Sequence, residues 1–133
     1  MPYFQKKINA SYYTTKGFYI FNIPVKVPYK KIYASAEAAG FKQIETLGPI
    51  IESSRIFGFG WIGVEVESAT GPDIKQIKGD FTVIEHKGAY RNIGKTYKKI
   101  SKEKPGSKEH YNLYIDNPDN VEEANLRTHI LFR

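Results

Sequence analysis

Cysteine is absent from this 133-residue chain, which excludes thiol catalysis, disulfide staples and Cys-based zinc or iron–sulfur sites together. Histidine occurs three times, at His86, His110 and His129, with no metal-ligand spacing, so neither a metal nor another cofactor is expected. Long apolar runs are missing as well. None approaches the roughly 20 residues of a membrane helix, and the N-terminus lacks the charged-then-apolar pattern of a secretory signal. A soluble, cytoplasmic protein with no membrane association is the expectation.

What is present is a globular balance: 41% hydrophobic against 26% charged residues, in a length that suits one domain spanning 1–133. The net charge of +6 would suit an acidic partner. The lysines, however, are scattered over Lys6-Lys7, Lys30-Lys31, Lys75-Lys78 and Lys95-Lys104 without a nucleic-acid motif. They read as solvated faces, and no direct nucleic-acid binding is expected.

Along the chain, Tyr12-Tyr13-Thr14-Thr15 and Phe18-Tyr19-Ile20-Phe21 predict a strand or hairpin that Pro24 and Pro28 break. Tyr29, Ile32, Tyr33, Ala36 and Ala39 recur at helical spacing and predict a helix that stops near Gly40. Short strands are expected on either side of Gly48-Pro49. From Phe57 to Glu67, Ile62, Val64 and Val66 alternate with Trp61, Gly63, Glu65 and Glu67, which predicts a strand with one apolar face. Residues Ile74 to His86 predict strand broken at Gly79-Asp80. Tyr90, Ile93, Tyr97 and Ile100 form a second helical stripe, closed by Pro105-Gly106. Strands at Tyr111–Ile115 and Arg127–Phe132 follow.

The order strand, helix, strand, strand therefore occurs twice. An α+β fold is expected, built from duplicated units at about residues 10–70 and 74–133, with one antiparallel sheet carrying two helices on one face.

Three pieces of the second half carry a resemblance. Gly79-Asp80-Phe81-Thr82-Val83-Ile84-Glu85-His86-Lys87-Gly88-Ala89-Tyr90 resembles a strand followed by a His-any-Gly-Pro-Tyr corner, with Ala89 in place of the proline. Tyr111-Asn112-Leu113-Tyr114-Ile115-Asp116-Asn117-Pro118 resembles a Glu-any-Tyr strand ending in an Asn-Asp-Pro turn, and Arg127 to Phe132 resembles a closing strand. Together, about 55 residues are similar to the GyrI-like small-molecule-binding domain, found as the effector-binding part of AraC- and MerR-type regulators and in gyrase-inhibitor-like proteins. The resemblance implies two pseudo-symmetric halves with a ligand cleft where they meet, and ligands that are flat, apolar and often cationic. It also implies a cleft glutamate where this chain has Asn112, and some relatives that hydrolyse strained cyclopropane-type compounds lean on that glutamate.

Six residues become candidates for binding a ligand: Tyr33, Phe59, Trp61, Glu65, Asn112 and Tyr114. Asn112 and Tyr114 share a strand face that the resemblance turns toward the cleft. Phe57, Phe59 and Trp61 offer an aromatic wall, and Glu65 and Glu67, on the face of Trp61, would supply negative charge for a cation. Tyr33 lies on the first helix within reach of a cleft between helices. Because an amide is no general base, no catalytic residue is assigned, and a stand-alone binding domain is the leading expectation. A hydrolase using Glu65 or Glu85, or a gyrase-inhibitor-like module that grips an acidic protein through its lysine-rich helix, are the alternatives. Either a monomer or a homodimer fits the sequence.

Overall fold

The computed structural model describes residues 2–133 and shows an α+β architecture: a seven-stranded antiparallel sheet and two α-helices. The strands are β1 (Phe4–Ile20), β2 (Ile23–Lys26), β3 (Ile50–Ser53), β4 (Phe57–Val66), β5 (Ile74–Lys87), β6 (His110–Tyr114) and β7 (Arg127–Phe132). The helices are α1 (Ile32–Ala38), between β2 and β3, and α2 (Ile93–Glu103), between β5 and β6. Among the described residues, no helix is long and apolar enough to cross a membrane.

The long first strand organises everything else. Ser11 to Ile20 of β1 pair with β4, while Phe4 to Tyr13 pair with β5 along the other edge. The pairings β4–β3, β3–β6, β6–β7 and β7–β5 complete the circuit, so six strands close into a ring and leave few free edges. Only β2 stands outside it, hydrogen-bonded to the far end of β1.

Three apolar clusters fill the domain. Ile8, Tyr12, Ile51, Phe81, Val83, Leu113 and Leu131 pack together on one face of the ladder. In two further clusters, Ile32 and Ala36 of α1 pack with Ile62 and Val64, and Ile93 and Ile100 of α2 pack with Ile84, Ile130 and Phe132. Each fully buried isoleucine here contributes roughly 1.5–3 kcal/mol. The alternation expected of β4 is present, with Ile62, Val64 and Val66 buried and Glu65 exposed.

Five elements differ from the expectations, each for a local reason. Of the two short strands expected around Gly48-Pro49 only the second forms, since residues 44–47 are bend and turn and Gln43 makes a single bridge to Val66. β1 begins eight residues before Tyr12, because pairing with β5 sustains a polar stretch (Gln5, Lys6, Lys7, Asn9) that has little strand signal of its own. Pro24 does not end structure; it sits in β2, which has one unpaired edge and so has no need of every N–H. The first helix starts at Ile32 rather than Tyr29, since the turn after Pro28 places Tyr29 outside it. β5 runs unbroken through Gly79, whose φ of 129° suits glycine.

Candidate functional site

Register places one row of side chains across five strands. Ile62 of β4 is opposite Glu52 of β3, Glu52 is opposite Asn112 of β6, Asn112 is opposite Ile130 of β7, and Ile130 is opposite Ile84 of β5. The outer members of this row are the apolar floor beneath α1 and α2. Its two central members are polar, yet Glu52 is only 3% exposed and Asn112 8%. A carboxylate in that position needs partners, because an unpaired buried charge costs several kcal/mol.

The partners are phenols. Tyr19 of β1 donates to Glu52 Oε2 at 2.8 Å, and Tyr29, from the turn before α1, donates to the same oxygen. Tyr114 of β6 donates to Oε1. Beside them, Tyr97 of α2 donates to Asn112 Oδ1, and the Asn112 amide nitrogen reaches the Tyr114 hydroxyl at 3.5 Å. The rings of Tyr29 and Tyr90 stand edge-on to Tyr114, with centroids 6.4 and 5.1 Å away. Residues of β1, the turn before α1 and β6 thus converge on one carboxylate, and α2 reaches its neighbour Asn112.

Burial, followed by the nearby Glu52 charge, pushes the phenols of Tyr19, Tyr29, Tyr97 and Tyr114 well above the ordinary tyrosine range. They stay protonated and serve as donors. Tyr90 is raised by burial and then by Asp116. Gly60 makes the inner part of this arrangement possible: a Cβ there would overlap the Ser53 carbonyl oxygen and stand 2.9 Å from the Tyr19 ring.

Of the residues singled out in the sequence, Asn112 and Tyr114 belong to this cluster. Tyr33, on α1, packs in the same apolar cluster as Tyr29, but its hydroxyl donates to the Gly48 carbonyl at 2.6 Å. Trp61 and Glu65 lie on the opposite face of the ladder from Glu52, since alternate residues of β4 point to alternate sides. There Trp61 packs against Tyr111 with the Lys75 ammonium 5.7 Å over its ring, and exposed Glu65 is opposite Tyr12. Phe59 is 65% exposed on β4, beside Phe18. Glu85 is held by His129 Nε2 at 3.0 Å. His86, read as a corner residue, is buried and ties β5 to α2, with Nδ1 2.8 Å from the Thr96 hydroxyl and Nε2 3.0 Å from the Ala89 carbonyl.

Against protein-family models and curated proteins, the chain finds no match.

The residue that sequence reasoning missed is Glu52. A signal was available: in Ile50-Ile51-Glu52-Ser53, an acid alternates with Ile50 on one face of a strand that is otherwise apolar at its start. It also changes the meaning of Asn112. Glu52 of β3 stands directly opposite Asn112 of β6.

Chemically, the cluster offers one carboxylate, four phenol hydroxyls, an amide and several ring faces. That set suits a cation with an apolar body: the carboxylate neutralises it and the rings contact its flanks. It is less suited to proton abstraction, because both Glu52 oxygens already accept phenolic protons and a base needs an open position.

Proposed function

We propose that this chain is a stand-alone small-molecule-binding domain of the GyrI-like type, holding an apolar or aromatic organic cation between its two halves. The observation that carries this reading is Glu52: a buried carboxylate whose three hydrogen-bond partners are all phenols. Phenols satisfy its oxygens but do not neutralise it, and a cationic ligand would do both. The resemblance in residues 79–132 supports the same reading. So does the central row, in which Glu52 and Asn112 occupy facing positions on β3 and β6, as duplicated halves with both helices on one side would place them. Binding displaces at least one tyrosine from the carboxylate, with Tyr29 and Tyr114 the nearest to the helices.

The test uses a matched pair of probes: benzyltrimethylammonium and its uncharged counterpart neopentylbenzene. The cation is expected to raise the melting temperature, since a ligand present at about 100 times its Kd stabilises the folded state by about 2.7 kcal/mol. Glu52→Gln is expected to abolish that shift. Equal responses to both probes, or an undiminished shift in Glu52→Gln, would overturn the reading.

A second reading rests on the same carboxylate. Hydrolysis of strained cyclopropane-type compounds needs an acid beside Tyr114, and Glu52 is there. Glu65 and Glu85 do not serve it, one being exposed on the other face and the other occupied by His129. Turnover of such a compound by the wild type and not by Glu52→Gln would favour catalysis over binding alone.

A further inference from the structure

The end of the molecule farthest along β1 has a surface that its own core does not explain. Phe21 is 76% exposed and Phe57 73%, and Ile23, Val25, Ile56 and Phe59 are exposed beside them. Phe18 stands edge-on to both Phe57 and Phe59, at 5.7 and 5.3 Å, so the rings form one cluster. Two tips are bound together here. The Phe21 backbone N–H donates to the Ile56 carbonyl and that of Asn22 to the Arg55 carbonyl, at 2.9 Å for the latter.

Phe21 breaks a local rule as well. It and Asn22 have φ of 50° and 62°, the two positive values that a tight hairpin turn requires. Asn is comfortable there; a bulky Phe is not, and glycine or asparagine would normally take its place. An exposed ring held on an unfavourable backbone contributes little to the interior. Residues kept against local preference mark a surface used for something else.

Charge selects the partner. Lys16, Lys26 and Arg55 are exposed around the cluster, with the Lys16 ammonium 6.0 Å over the Phe59 ring. The sequence has no acidic residue before Glu37 and none between Glu52 and Glu65, so the flap is apolar and purely basic. A second copy would bring like charges together, and the open edge of β2 is blunted by Pro24, which has no N–H, and by Lys26. The apolar residues also cover the tip on more than one side, since Ile56 and Phe57 are adjacent and both exposed. A flat protein contact uses one side; an apolar medium accepts all of them.

The geometry points to docking of this flap on an anionic lipid surface, with Phe21, Ile56 and Phe57 entering the acyl boundary and Lys16, Lys26 and Arg55 on the headgroups. Basic residues near such a surface each strengthen attraction to anionic lipid, and apolar side chains add burial. This is peripheral attachment, separate from the Glu52 cluster and independent of what that cluster binds.

The full chain is mixed with vesicles of phosphatidylcholine alone or with about 30 mol% phosphatidylserine, and the bound fraction is read by sedimentation. Binding to the anionic vesicles is expected to be at least about tenfold tighter than to the neutral ones and to weaken as salt rises to about 0.5 M. Phe21→Asn with Phe57→Ser keeps every charge, and is expected to lower that binding about tenfold; Lys16→Glu with Lys26→Glu should remove it. Far-UV circular dichroism and the melting temperature check that both variants fold. Equal binding to the two vesicle types, or wild-type binding by the phenylalanine variant, overturns the proposal. So does a dimer in sedimentation velocity that the phenylalanine variant dissolves, which would assign the flap to a second copy. Polyglutamate binding that depends on the same phenylalanines, without vesicle binding, would assign it to an acidic protein.

Discussion

The two faces of β1 near its C-terminal end treat aromatic residues in opposite ways. Toward the ring, Tyr19 is fully buried and its hydroxyl is spent on Glu52. One residue away, on the other side of the same strand, Phe18 joins the exposed cluster with Phe57 and Phe59. A tyrosine has a hydroxyl that pins it to one partner; a phenylalanine has none and is held only by burial. The difference teaches that the Glu52 cluster is fixed by hydrogen bonds the fold cannot lose cheaply, whereas the flap contributes area that the fold does not use.

The sharpest way to break this comparison is to remove the hub. Glu52→Ala leaves three phenols without their acceptor, and a loss of about 3 kcal/mol of stability is expected in denaturant unfolding. Survival with full stability would show that the phenols find other partners. Next is Gly60→Ala, which pushes a methyl group against the Ser53 carbonyl and the Tyr19 ring; a cost of about 1–3 kcal/mol is expected, measured the same way.

Alkaline titration distinguishes the two kinds of tyrosine without mutation. For Tyr19, Tyr29, Tyr97 and Tyr114 the folded state raises the phenol above its ordinary 10.0. Their contribution to stability is complete below 10, where both folded and unfolded forms are protonated, and is lost as pH climbs beyond it. Absorbance at the phenolate band should rise for exposed tyrosines first and for these four only as the protein unfolds. A smooth rise of all ten tyrosines near pH 10, with the fold intact, would contradict the buried cluster. The smallest effect is at the flap: Phe57→Ser should change stability by less than about 0.5 kcal/mol, since the side chain is already in water.

How much of this was legible depended on whether a residue's signal was local. β4, β7 and α2 could be read because Ile62, Val64 and Val66, then Ile130 and Phe132, then Ile93, Tyr97 and Ile100 keep a clear period. The first half of β1 could not, since Lys6, Lys7 and Asn9 become strand only through pairing with residues some seventy positions away. Ring closure has no local signature at all. In the buried cluster, Asn112 and Tyr114 had been singled out from the sequence and Glu52 had not, because the Glu52 environment is made by residues that β1, β6 and the turn before α1 bring to it. Trp61 and Glu65 had correct periodicity, but periodicity does not say which residues of other strands share their face.

β1 is shared property. It ladders with β4 along one edge and with β5 along the other, so the strands before and after Gly71-Pro72 are joined through it. Cleavage at the exposed turn around Gly71-Pro72 would leave an N-terminal fragment with β1 open where β5 belongs, and a C-terminal fragment missing its neighbour. Neither fragment should fold alone, yet mixed together they carry every strand of the ring. Their reassembly should be slow, because it depends on pairing strands far apart in sequence.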